Sequence, residues 1–253
     1  MSGHSKWSTI KHQKGAADAK RGVLFTKISR ELAIAVKAGG SDPDMNFHLR
    51  LVLDKAKAAN MPQDSISRAI KRGSGEGAEG EVLEEITYEG YGPGGGAILL
   101  QCLTTNRNRT ASDVRSAFSR GGGNLGENGC VAWNFDFLGV IGLEMKDEER
   151  GEELSMLAID AGADDVKLED EFLEIFTAVD QLQAVQKALE SEGVPPDAAQ
   201  LSMVPKTTIA LDDKQAEQTL RLLDTLEELD DVQKAYTNAD FPPEVLERYQ
   251  TQG

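Results

Sequence analysis

The sequence predicts an α+β protein of three domains: an N-terminal three-helix domain and two α+β, ferredoxin-like domains, one inserted in the other. Three observations carry this. Residues up to 73 hold three apolar stripes at helical spacing and no strand signal. A run rich in Gly and Glu, GSGEGAEGE at residues 73–81, cannot pack and reads as a linker. Beyond it, strand-like and helix-like segments alternate, and a last helix–strand pair has no partner in the unit before it. The domains are expected at residues 1–76, at 81–135 together with 212–240, and at 136–211.

The helices of the first domain follow from spacing. Residues 1–14 are polar and lack periodicity, so they read as an arm. Leu24, Phe25, Ile28, Leu32, Ala35 and Val36 recur at three- and four-residue intervals, which puts one apolar stripe on a helix that ends at Gly39-Gly40. Asp42-Pro43 reads as an N-cap and first helical position. The second helix then presents Phe47, Leu49, Val52, Leu53 and Ala56 and ends near Asn60. Met61-Pro62 restarts the chain, and a third helix with Ile66, Ala69 and Ile70 stops at Gly73.

The second domain opens with a strand at residues 84–89, the turn GYGPGGG, and a buried strand at 97–103. A capping-box-like start at Thr110–Asp113 leads into a helix with Val114, Ala117 and Phe118. RGGGNLGENG reads as a loop, and residues 130–135 as a third strand. Such a ββαβ unit leaves much of its sheet bare. Next come a strand at 139–144, a helix at 148–161, extended residues at 164–168, a strand at 172–178, a helix at 182–192 and a strand within 201–211. Together they form a βαββαβ unit, the ferredoxin-like pattern. A long helix from 213 to about 229 and a strand at 232–236 are left over and fit the open ββαβ unit. The tail from 241 to 253 is expected to be short and peripheral.

Charge is divided very unevenly. Residues 1–73 carry 14 Lys+Arg against 6 Asp+Glu, a net of +8, inside a chain of net charge −16. Residues 74–253 carry 13 against 37, a net of −24. A basic part that faces nucleic acid, joined to an acidic solvated part, accounts for this, since a basic patch acts within a Debye length of roughly 8–10 Å. The longest apolar run, near residues 97–103, is strand-sized, so no membrane partner is expected. No secretory signal pattern opens the chain, and Cys102 and Cys130 read as free thiols. A soluble cytoplasmic protein is the expectation.

The candidate chemistry is binding rather than catalysis. His4, His12 and His48 are the only histidines, none has a cysteine nearby, and the field around them is cationic, so no metal is expected. No nucleophile motif and no phosphate loop occurs, so no catalytic residue, cofactor or small-molecule substrate is assigned. The basic constellation is the strong signal. Lys6, Lys11, Lys14, Lys20 and Arg21 cluster at the front, and Arg68, Lys71 and Arg72 at the end of the third helix, where each can contact a phosphate. Trp7, with His4 and His12, can stack on an unpaired base. Arg107 and Arg109 in TTNRNRT lie beside a helix start and are candidate phosphate ligands; pairing with local carboxylates is the equal alternative.

GHSKW, KH-K-A-DAKRG, FTK, REL, AAN-P, AIKRG, YEGYGPGG, NRNRT, GGN-G and V-W-F follow one another from residue 3 to about 135. Together they resemble the YebC family, whose organellar relatives are the translational activators of cytochrome c oxidase subunit I. The resemblance implies three domains, one inserted in another, and a non-enzymatic DNA-binding regulator of transcription. It also leaves open a ribosome- or RNA-binding factor that eases translation through proline-rich stretches. DNA or ribosomal RNA, and with the latter the ribosome, are therefore the expected partners.

Overall fold

The computed structural model describes residues 18–75, 83–169 and 172–251. The chain forms two compact units. One is Phe135–Lys206; the other is made of the segments on either side of it.

The flanking unit begins with three helices, α1 (Asp18–Gly39), α2 (Phe47–Ala58) and α3 (Gln63–Gly73). Helix α1 packs on both others. The predicted stripe is the core: Ile28, Leu32, Ala35 and Val36 of α1 bury against Leu49, Val52 and Ala56 of α2 and Ile66 and Ala69 of α3. One cap differs from the sequence reading. Asp42 forms only a turn, accepting from the Asp44 N–H, and the N-cap of α2 is Asn46. The reason is chemical. Asn46 Oδ1 accepts from the Leu49 N–H while its Nδ2 donates to the carbonyls of Ala35 and Gly40, so one amide caps α2 and closes the end of α1. A carboxylate cannot donate.

The same unit continues as a sheet. Strands β1 (Glu84–Tyr91) and β2 (Ala97–Thr104) form a hairpin through a 3₁₀ turn at Pro93–Gly95. Gly94 and Gly95 there have φ of 78° and 82°, a conformation that favours glycine. After α4 (Arg107–Arg120) and the two-residue β3 (Asn124–Leu125), the chain leaves for the other unit and returns at Thr207. It then forms β8 (Ile209–Ala210), α7 (Asp213–Glu227), β9 (Val232–Thr237), β10 (Ala239–Asp240) and α8 (Pro243–Thr251). The sheet order is β3-β1-β2-β9, so the unpartnered helix–strand pair of the sequence does complete this sheet. Ile98, Leu100 and Cys102 face Val114 and Phe118 of α4 and Leu220, Leu223 and Leu226 of α7.

Three local readings change. Helix α4 starts at Arg107, capped by Asn106 Oδ1 accepting from the Arg109 N–H, and Thr110 points inward instead of starting the helix. Residues 130–135 are not a strand up to Asn134: residues 132–134 form a 3₁₀ turn. The buried carboxylate of Glu89 takes the N–H groups of Gly129, Val131 and Ala132 at 2.6–2.8 Å, so those donors are not available to a ladder. The tail is not peripheral. Val245 and Leu246 of α8 are fully buried, with Phe241, in the core of the sheet.

The Phe135–Lys206 unit is β4 (Phe135–Glu144), α5 (Glu148–Asp160), β5 (Ala163–Glu169), β6 (Phe172–Thr177), α6 (Leu182–Ser191) and β7 (Ala198–Pro205). Its sheet order is β5-β6-β4-β7 with every neighbouring pair antiparallel, the ferredoxin-like arrangement. Ile141 and Leu143 of β4, Leu173 and Ile175 of β6, Leu154 of α5 and Leu189 of α6 are buried in it.

Candidate nucleic-acid interface

The cations of the helical region fall into two groups, and the structure separates them. Helix α3 buries Ile66 and Ala69 on one side, so the three- and four-residue repeat throws Asp64, Ser67, Arg68 and Lys71 onto the other, where they line an open groove. Arg68, Lys71 and Arg72 are all exposed. Arg68 donates only to Asp64 O and Ser65 Oγ, both at 3.2 Å. None of the three is ion-paired to a carboxylate of the described residues. Lys71 and Arg72 lie in the last turn, where the carbonyl end of the helix dipole favours positive charge. The groove is set tightly against the core. A Cβ on Gly73 would come within 2.8 Å of Val36 Cβ and 2.9 Å of Ala33 Cα, so only glycine lets α3 end this close to α1.

The second group is consumed internally. Lys27 Nζ donates to the Glu227 carbonyl and Arg30 Nη1 to the Asp230 carbonyl, satisfying groups just at and beyond the end of α7. Arg30 Nη1 also lies 3.2 Å from Asp231 Oδ1. Asp231 is buried and gathers Arg109 Nη2 at 2.8 Å, Thr110 Oγ1 at 2.7 Å and Thr104 Oγ1 at 3.2 Å on its other oxygen. Burial pushes this carboxyl up, but the hydrogen bonds from Arg109 and Thr110 and the charges of Arg109 and Arg30 outweigh it, and its pKa lies below the usual value. Lys55 holds Glu31 at 2.6 Å. Burial raises the Glu31 carboxyl, yet Lys55 and Lys234 together bring it below its usual value. Lys234 is pushed down to about 8 by burial and by Lys55.

The residues expected from sequence therefore divide. His4, Lys6, Trp7, Lys11, His12 and Lys14 lie outside the described residues. Lys20 and Arg21 fall at the start of α1. Arg107 is exposed, with Glu84 3.8 Å away, and Arg109 is turned onto Asp231. A phosphate at Arg109 would compete with that carboxylate. Sequence reasoning missed Lys27, Arg30, Glu31, Lys55, Asp231 and Lys234. Their only early signal was that Lys27, Arg30 and Glu31 flank the apolar stripe of α1 at helical spacing.

Among the described residues, no group of three or more His, Cys, Asp or Glu is placed to hold a metal ion. Cys102 and Cys130 are free, and burial with Asp231 nearby pushes the Cys102 thiol up to about 12. No helix among the described residues is long and apolar enough to cross a membrane. What the α3 groove offers chemically is the two cations of Arg68 and Lys71 and the hydroxyl of Ser67, with the carboxylate of Asp64 on the same lining and Arg72 exposed in the last turn.

Comparison with known proteins agrees across the chain. Residues 5–76 match the family model described as the TACO1/YebC protein N-terminal domain, and residues 83–239 the one described as the TACO1/YebC second and third domain. A protein of Moorella thermoacetica is 57% identical over 212 residues, 83% of this chain and 84% of its own, and is named "Probable transcriptional regulatory protein". A protein of Trichlorobacter lovleyi with the same name is 54% identical over 211 residues, again 83% and 84%. The crystal structure of a conserved hypothetical protein from Aquifex aeolicus superposes with a TM-score of 0.82 at 44% identity, covering 94% of this chain and 97% of that one.

Proposed function

Because the chain belongs to the TACO1/YebC family, we propose that it is a non-enzymatic regulator of transcription that binds DNA through the phosphate backbone. The observation that carries this reading is the exposed face of α3, where Arg68, Lys71 and Arg72 make no ion pair with a carboxylate of the described residues while Lys27, Arg30 and Lys55 are engaged with other groups. Lys6, Lys11 and Lys14, outside the described residues, and Lys20 and Arg21 at the start of α1 add to the positive charge that residues 1–73 carry in sequence. A regulator of this kind gains affinity from phosphate contacts, each of which releases counterions. The names of the relatives support the regulatory role, and the α3 face supports the ligand. Arg109 carries less of the reading, because a phosphate there would compete with the carboxylate of Asp231 at 2.8 Å.

The test is charge reversal on one helix face. The variant R68E/K71E/R72E keeps Ile66, Ala69 and Gly73 and so keeps the packing of α3. Binding to duplex DNA, measured by gel shift, should be lost or fall by orders of magnitude. The slope of log affinity against log salt should drop by about 0.7–0.9 for each phosphate contact removed. In cells, crosslinking should recover promoter DNA with the wild type and not with the variant. Unchanged duplex binding, or recovery mainly of ribosomal RNA, overturns the reading.

A further inference from the structure

Away from α3, two aromatic rings stand exposed beside each other on the sheet unit. Trp133 is 67% exposed and Tyr91 is 40% exposed. Each places its polar tip on the same atom: Tyr91 Oη and Trp133 Nε1 both donate to the Cys130 carbonyl at 2.9 Å. The loop that carries this carbonyl is held from beneath. Glu89, one pleat before Tyr91 on β1, receives the N–H groups of Gly129, Val131 and Ala132, and their three hydrogen bonds keep its carboxyl below the usual value against the effect of burial. The polar tips of both rings are therefore fixed, with their donors spent and much of each side chain exposed.

That combination selects a ligand. Residues 121–134 contain a single charged residue, Glu127, and no Lys or Arg, so this loop holds no phosphate of its own and a ligand here is held by stacking. A proline-rich peptide in the polyproline conformation has no internal hydrogen bonds and needs donors for its carbonyls. Here both aromatic donors are already satisfied by Cys130. What remains is a π surface, and every nucleobase has a π face. We infer that Tyr91 and Trp133 form a stacking platform for an unpaired nucleobase, the shared chemistry of a single-stranded DNA or RNA segment. The inference rests on the reading of the chain as a nucleic-acid binder and assigns a second contact, distinct in chemistry from the phosphate face of α3.

The full-length protein tests it. Labelled oligo(dT), oligo(rU) and duplex DNA are titrated by fluorescence anisotropy against the wild type, Trp133→Leu and Trp133→Phe. Leucine should weaken single-strand binding about 5- to 140-fold, the range expected for one lost base stack. Phenylalanine keeps a ring and should retain most of the affinity; Tyr91 still satisfies the Cys130 carbonyl. Duplex binding should be the same in all three. The dT and rU arms show which strand is preferred. In a Trp7→Phe background Trp133 is the only tryptophan, and a saturating single strand should quench its emission. If Trp133→Leu binds single strands as the wild type does, or Trp133 emission responds to a proline-rich peptide and not to the strands, the platform is overturned while salt-dependent duplex binding leaves the α3 reading standing. Failure of the wild type to bind any of the three nucleic acids overturns both.

Discussion

Asp231 joins four side chains from three elements: Arg30 on α1, Thr104 at the end of β2, and Arg109 and Thr110 on α4. Removing one member of so enclosed a cluster leaves buried groups unpaired, which costs about 3–5 kcal/mol where the partner is also desolvated. Arg109 is half exposed and can turn to water, so Asp231→Ala is expected near the low end, about 3 kcal/mol, read from urea unfolding. The pH dependence has a definite sign. The folded pKa of Asp231 lies below its ordinary 3.8, so its contribution is complete above pH 3.8 and disappears as the pH falls through the folded value. The wild type should lose stability steeply in that acid window, and Asp231→Asn should lose less of it, because asparagine has no proton to take up. Equal acid slopes for the two proteins would remove Asp231 from this role. The sequence left phosphate and carboxylate as equal partners for TTNRNRT, and which carboxylate was not legible, because Asp231 lies more than a hundred residues away.

At the scale of elements, what sequence reveals depends on how far the deciding partner lies. The α1 stripe, the Gly94-Gly95 turn and the βαββαβ order were legible because each is written in local spacing. Residues 130–135 were misread because their alternating apolar pattern suits a strand, while Glu89, forty residues earlier, takes the N–H groups a strand would use. Helix α8 was missed because nine residues give only about two and a half turns of pattern, and Val245-Leu246 means little until the core of α7 and the sheet is there to receive it. Two substitutions test that placement. Leu246→Ala should cost about 2–5 kcal/mol, as for a large side chain removed from a packed core. Met156→Ala on α5, where the side chain is 67% exposed, should stay within about 0.5 kcal/mol. Thermal or urea unfolding of both variants reads the contrast, and a silent Leu246→Ala would mean that α8 is not part of the core in solution.

For the molecule as a whole, the question is how a chain of net −16 can present a basic surface at all. The answer lies partly in where the acid sits. Residues 135–206 hold 18 Asp+Glu against 5 Lys+Arg, a net of −13, so the rest of the chain carries only −3. This acidic unit can be removed cleanly. Its first and last strands pair, Phe135 opposite Pro205, so its ends are adjacent. Next to them in sequence, Asn134 and Thr207 clasp each other: Asn134 Nδ2 donates to the Thr207 carbonyl at 3.0 Å, and the Thr207 N–H and Oγ1 donate to Asn134 Oδ1 at 3.1 and 2.8 Å. Both residues belong to the flanking unit, whose core uses no residue from 135–206. A protein in which a short glycine linker replaces 135–206 should therefore keep its cooperative unfolding. It should also bind duplex DNA more tightly than the full chain at low salt, because net negative charge opposes the approach of a polyanion. The advantage should shrink as salt is raised, since salt screens the interaction between exposed charges. The α3 contacts themselves are common to both proteins, so the two affinities should converge near physiological salt. An excised protein that binds no better at low salt would mean that the acidic unit does not act on the interface through its charge.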